Sequence, residues 1–183
     1  MRVAVVGSGY VGLVSGAGLA DIGVEVVCVD VDPAKIESLK KGVVPFYEPG
    51  LEELIARNAK SSRLSFTTSL TEAVAGAEVV MLAIGTPSAA DGSADLSALL
   101  KAAQDVAKAA TGPLVLVTKS TVPVGTAEKI RALVTSGATS SQHAIAVASN
   151  PEFLKEGDAV NDFLKPERIV LGTDDAHARE VLE

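Results

Sequence analysis

Apolar residues in this chain fall into short compact blocks, separated by longer stretches where they recur at every third or fourth position. The blocks are Val3–Val6, Val24–Val29, Leu64–Thr67, Val79–Ala83, Leu114–Thr118, Ala144–Ala148 and Ile169–Leu171. Most are β-branched and lack polar alternation, as strands do when both faces are buried in a parallel sheet. The stretches between them, Val11–Asp21, Pro33–Lys40, Leu51–Asn58, Leu70–Val74, Leu96–Ala110 and Thr126–Thr135, carry helical spacing. Pro33 suits a first helical turn, and Thr71 with Glu72 suits the start of the helix that ends at Val74. Gly42, Pro49-Gly50, Ser88 to Gly92 and Gly137 to Ser141 mark loops. Strands alternating with helices predict an α/β domain: a doubly wound parallel sheet, Rossmann-like, with right-handed crossovers.

The order of parts is most specific at the start, MRVAVVGSGYVGLVSGAGLADIGVEVVCVD. A strand runs into Gly7-Ser8-Gly9-Tyr10-Val11-Gly12, a small-residue helix follows, and a second strand ends on Asp30. Gly7 suits the tight strand-to-helix turn, Gly9 lets backbone N–H groups approach a pyrophosphate, and Gly12 lets the helix lie close on the strand. The helix start adds oriented N–H donors. A carboxylate at Asp30, 18 residues beyond Gly12, can accept both ribose hydroxyls. It would also repel a 2′-phosphate, so the expected cofactor is NAD rather than NADP. A glycine turn without ligand, and Asp30 as a cap for the helix at Pro33, are the plainer alternatives.

Composition narrows the partners. The chain has 183 residues, enough for one domain, and 48% of them are hydrophobic. A net charge of −7 argues against nucleic acid or an anionic membrane, though backbone amides can still bind phosphate locally. Met1-Arg2 leads straight into a strand and no apolar stretch is long enough to cross a bilayer, so a cytoplasmic protein is expected. The single cysteine, Cys28, lies inside a strand and reads as a core residue. His143 and His177 form no metal-ligand spacing with each other or with Cys28, and no metal is expected.

Three later segments each leave the end of a strand, where parallel sheets bind ligands. Ala83-Ile84-Gly85-Thr86-Pro87-Ser88 offers a hydroxyl on a stiffened turn. Thr118-Lys119-Ser120-Thr121-Val122-Pro123-Val124-Gly125-Thr126 offers hydroxyls and a lysine. Ser149-Asn150-Pro151-Glu152-Phe153-Leu154-Lys155-Glu156-Gly157 brings two acids four residues apart, which share a face if the stretch is helical. Paired acids beside a cofactor suit general-base work. The bland readings are an ordinary strand exit, a polar loop with Thr126 as a helix cap, and a solvated turn.

GSGYVG, DVDPAKIESLKKGVVPFYEPGLEELI, GTPSAADGSADLS, KSTVPVGT and NPEFLKEGDAVNDFLKPERIVLG together resemble the UDP-glucose 6-dehydrogenase group of the UDP-glucose/GDP-mannose dehydrogenases, from Met1 to about Gly172. The resemblance implies that Val11, Asp30, Lys35, Thr86 and Thr121 contact NAD. Gly7, Gly9, Tyr10, Gly12, Pro87 and Ser120 would lie on the same cofactor side. Thr121 would also help hold a catalytic water. Glu152, Phe153, Leu154 and Lys155 would line a site for UDP-glucose or a related nucleotide sugar. Glu152 would be the base that assists water attack, and Glu156 a further cofactor contact. Tyr47-Glu48-Pro49-Gly50 is a family loop that otherwise reads only as a turn before a helix.

In that family an alcohol is oxidised to an aldehyde, trapped by a cysteine, oxidised again to a thioester and hydrolysed to a uronate. The cysteine, and a lysine and asparagine on a central helix that also carries much of the dimer contact, lie beyond the stretch matched here. The resemblance therefore implies that residues 1–183 are the NAD-binding half, without turnover alone. Oxidation of GDP-mannose or a UDP-N-acetylhexosamine, and a stand-alone NAD-binding module, are the competing readings.

Overall fold

A computed structural model describes residues 1–135 and 143–183. The expected Gly137 to Ser141 loop lies outside the described residues. Six strands form one parallel sheet in the order β3-β2-β1-β4-β5-β6: β1 (Arg2–Val6), β2 (Glu25–Val29), β3 (Leu64–Thr67), β4 (Val79–Leu82), β5 (Leu114–Thr118) and β6 (Ile145–Ser149). The helices are α1 (Tyr10–Asp21), α2 (Pro33–Lys40), α3 (Leu51–Lys60), α4 (Leu70–Val74), α5 (Ser97–Ala109), α6 (Thr126–Thr135), α7 (Ala159–Leu164) and α8 (Ala176–Leu182).

The absence of polar alternation in the strands has a direct cause. Successive side chains enter two different cores. Val3, Val5, Val26, Cys28, Val79, Met81, Val115 and Val117 pack with α1, α2, α3, α7 and α8. Ala4, Val27, Val29, Val80, Leu82, Leu114 and Leu116 pack with α4, α5 and α6. Both faces are covered, which is the doubly wound arrangement expected from the sequence. The strand order reverses direction between β1 and β4, and this opens a crevice at their carboxyl ends.

Three local expectations are corrected. Ile169–Leu171 is not a seventh strand: Ile169 is 69% and Val170 42% exposed, and the antiparallel bridge to Ser149 of β6 is made by Gly172, just after the block. Its apolar run stays out of the ladder, and Ile169 and Leu171 line a cavity instead. The helix cap before Pro33 is Asp32, whose Oδ1 accepts from Ala34 and Lys35 N–H at 2.9 and 3.2 Å, so Asp30 is released from that task. The helix before Val74 is capped by Ser69, which accepts from Glu72 N–H at 3.3 Å, not started at Thr71. The helices α7 and α8 were not foreseen, although Asp175 caps α8 through Ala178 N–H at 2.8 Å.

Candidate functional site

The first turn between β1 and α1 is set by contacts that only glycine permits. Gly7 has φ +101°, in the region L side chains rarely adopt. A Cβ on Gly12 would stand 1.8 Å from the Gly7 carbonyl oxygen, so the helix can lie this close only because Gly12 has none. At Gly9 a Cβ would meet nothing within 4 Å. The turn is closed beneath and open above, and the open side faces a cavity of about 450 Å³ bounded by Gly7, Gly9, Asp30, Gly85 and Ala98.

Asp30 lines this cavity beside the glycine turn. Its Oδ2 accepts from Ser8 N–H at 2.8 Å and from the Lys35 ammonium at 2.9 Å, and its Oδ1 from Asp32 N–H at 3.1 Å. Burial works to raise the Asp30 carboxyl, but Lys35 and the Ser8 and Asp32 N–H groups outweigh it and hold the pKa below its ordinary 3.8. Of about four acceptor positions on a carboxylate, three are taken. That leaves one for a ribose hydroxyl, and Lys35 would have to move for a second.

The hydroxyl residues of the neighbouring turns do different work. Thr86 Oγ1 donates to the Thr121 carbonyl at 2.7 Å and ties the loop after β4 to the loop after β5. Ser120 is buried, accepting from Ile84 N–H at 2.9 Å and donating to the Leu82 carbonyl at 3.1 Å. Its hydroxyl shapes the exit of β4. Pro87 is part of the short turn whose carbonyl receives Asp95 N–H at 2.8 Å.

The segment after β6 is not helical. Residues 151–155 have no regular structure, and 156–158 form a turn. Glu152 and Glu156 therefore do not share a helical face. Glu152 Oε2 accepts from Leu154 N–H at 2.6 Å, while Glu156 is exposed. A second cavity of about 370 Å³ adjoins this segment, and Lys119, Asn150, Glu152, Phe153 and Arg168 line it. Arg168 lies over the Phe153 ring at 4.5 Å. Leu154 packs on the core, and Lys155 is paired with Asp162 at 3.3 Å.

Two buried charged groups went unnoticed in the sequence as site residues. Lys119 is 6% exposed and donates to Asn150 Oδ1 at 3.1 Å. Burial lowers its pKa, and the negative charge of Glu152 opposes that shift. Glu48 is 3% exposed and accepts from the Tyr10 hydroxyl at 2.5 Å, Gly157 N–H at 2.8 Å and Ala159 N–H at 2.9 Å. The Lys119 position in KSTVPVGT was visible, but its burial was not. Among the described residues no cluster of His, Cys, Asp or Glu could hold a metal ion, and no helix is long and apolar enough to cross a membrane.

These groups fit a nicotinamide dinucleotide. The turn offers glycine-lined backbone on its open side, and Asp30 offers a fixed carboxylate just past the end of β2. Comparison with known proteins agrees. The UDP-glucose/GDP-mannose dehydrogenase family, NAD binding domain, matches residues 1–183. A UDP-glucose 6-dehydrogenase of Rhizobium meliloti is 51% identical over all of this chain and 42% of its own length. One from Pseudomonas aeruginosa is 46% identical over all of this chain and 41% of its own. A UDP-glucose dehydrogenase from Pyrobaculum islandicum superposes with a TM-score of 0.93 at 45% identity, over 99% of this chain and 42% of that one. A ternary complex of GDP-mannose dehydrogenase from Pseudomonas aeruginosa gives 0.94 at 34% identity, over 100% and 43%. The chain thus spans about two-fifths of the length of these relatives.

Proposed function

The chain belongs to the UDP-glucose/GDP-mannose dehydrogenase family as its NAD-binding domain, and from that premise we propose that it serves as the cofactor-holding part of an NAD-dependent UDP-glucose 6-dehydrogenase. The observation that carries this reading is the crevice between β1 and β4, lined by the glycine turn and by the Asp30 carboxylate that Ser8 N–H of that turn holds at 2.8 Å. The sugar is assigned by likeness. The relatives at 46–51% identity are named UDP-glucose 6-dehydrogenases, whereas the matching GDP-mannose dehydrogenase stands at 34%.

NAD, when bound, supplies the hydride acceptor. The chain's own residues bind and orient. The Gly7–Gly12 turn takes the pyrophosphate, Asp30 and Lys35 the ribose, Thr86 and Thr121 are further contacts to NAD, and Thr121 also helps to hold a catalytic water. The second cavity takes the nucleotide sugar. There Glu152 is the general base toward water, with Phe153, Leu154 and Lys155 beside the nucleotide sugar. The buried Lys119 ammonium lines the same cavity as Glu152.

Nucleophilic trapping of an aldehyde needs a reactive thiolate. The one thiol in the sequence is Cys28, which is fully buried in the sheet, and burial pushes its pKa up to about 12. Residues outside this chain must supply the nucleophile, so residues 1–183 bind NAD without turning over.

The test is NADH formation by the encoded full-length enzyme, measured with UDP-glucose, GDP-mannose and a UDP-N-acetylhexosamine side by side. Two equivalents of NADH per UDP-glucose, and none from the isolated chain, are expected. Preference for another sugar would overturn the substrate, and turnover by the isolated chain would overturn the division of labour.

A further inference from the structure

Glu48 is the most deeply buried carboxylate among the described residues. It stands in the turn before α3, and the bonds that satisfy it come from two distant places. On one side is Tyr10, the first residue of α1 and part of the glycine turn. On the other are Gly157 and Ala159, more than 100 positions later, at the end of the segment that carries Glu152 and Lys155. The Tyr10 hydroxyl also lies 3.1 Å from the Lys155 carbonyl, and its ring packs on Phe46 with centroids 5.2 Å apart. Tyr10, Glu48 and the 155–159 backbone form one hydrogen-bonded cluster.

A carboxylate sealed from water loses its hydration and must be repaid by donors of fixed geometry. Here the donors come from segments that border the two cavities. Tyr10 follows Gly9, which lines the first cavity, and Gly157 and Ala159 follow residues 152–154, which line the second. Any ligand that fixes the glycine turn also fixes the Tyr10 backbone, and so narrows the positions open to Glu48 and the segment behind it.

We propose that Glu48 is a positioning residue that fastens the 152–158 segment to the first turn of α1 through the Tyr10 hydroxyl, so that filling the cleft with NAD stiffens the segment bearing Glu152 and Lys155. The proposal rests on the reading of the cleft as the NAD site. Coupling of this kind is reciprocal, so a ligand gripping Glu152 or Lys155 tightens NAD.

Hydrogen exchange read by mass spectrometry on the 183-residue chain tests it, with and without saturating NAD, alongside calorimetry. In the wild type, NAD slows exchange in the glycine turn and also across 155–160. Tyr10→Phe keeps the first effect and loses the second. In Glu48→Gln without NAD, the Gly157 and Ala159 amides exchange about ten- to a hundredfold faster, as expected on losing a charge-assisted bond. A brace with no link to the cofactor would speed exchange equally with and without NAD, leaving the NAD-dependent difference intact in both variants. That result overturns the proposal, as does wild-type protection that stops at the glycine turn. If Glu48→Gln does not fold, Tyr10→Phe still decides. No NAD binding in calorimetry overturns the reading of the cleft, and the coupling with it. Binding without transmission overturns the coupling alone.

Discussion

The Lys35 ammonium lies 2.9 Å from Asp30 Oδ2, so a positive charge rests on the carboxylate that lines the proposed dinucleotide cleft. The two side chains are mostly buried, 28% and 10% exposed. Their pairing complicates the simple rule that an acid at the end of β2 excludes a 2′-phosphate, because Lys35 offsets part of that repulsion. Lys35→Met should therefore widen the preference for NAD over NADP by about 1 kcal/mol. Calorimetry with both cofactors on the wild type and the variant reads this directly. A variant that gains affinity for NADP would show that the Lys35 charge does not soften the exclusion.

The glycine turn separates packing from binding. Gly12→Ala forces a methyl to 1.8 Å from a backbone oxygen that cannot step aside, and should destabilise the fold by about 3 kcal/mol or more. Gly9→Ala meets nothing within 4 Å, and Gly9 has φ −81°, which any residue adopts. It should leave urea stability nearly unchanged while weakening NAD, because its methyl enters the space proposed for the pyrophosphate. Equal loss of stability in the two variants would contradict this division.

Acid should loosen the Glu48 cluster. Burial raises the Glu48 carboxyl, but the Tyr10 hydroxyl and the Gly157, Ala159 and Val160 N–H groups outweigh it and hold the pKa below its ordinary 4.5. A depressed folded-state pKa gives stability that is present above 4.5 and is lost as pH falls through the lower folded value. Asp30 adds to the same window below 3.8. Urea unfolding followed downward from neutral pH should show this loss, and Glu48→Gln should flatten it while lowering stability by about 1.5–3 kcal/mol at neutral pH. An acid limb equally steep in the variant would mean that Glu48 is not the group responsible.

Cys28 should ignore thiol reagents in the folded chain. Its thiol is fully buried between β1, β2 and α1, and a Cβ on Gly16 would come within 2.6 Å of its sulfur. Labelling by a disulfide reagent should follow global unfolding, with rates that rise with urea. Fast labelling in native buffer would place the sulfur within reach of solvent and reopen its chemistry.

The βαβ unit was legible because its signals are local. The glycine spacing, the two strands apolar on both faces, and the acid at the tip of the second all fall within the first 30 residues. Asp32 as the α2 cap is an equally local signal, an acid directly before Pro33. Glu48 was not legible. Its sequence neighbours spell a turn, and the donors that make it special lie at Tyr10, Gly157 and Ala159, joined to it only by the folded chain. The Ile169–Leu171 block misled for the opposite reason: its composition suits a strand, but beyond the edge strand β6 it bridges only at Gly172. The 152–156 segment carried a helical spacing of acids that its Pro151 start and the Glu152 bond to Leu154 N–H do not support.

The most direct measurement is calorimetric titration of NAD into the 183-residue chain and into its Asp30→Ala variant. One site is expected, with the variant weaker by about 1–3 kcal/mol, the worth of a charge-assisted hydrogen bond to the ribose. No binding to the wild type, or equal affinity in the variant, would contradict the assignment of the β1–β4 crevice as the NAD site.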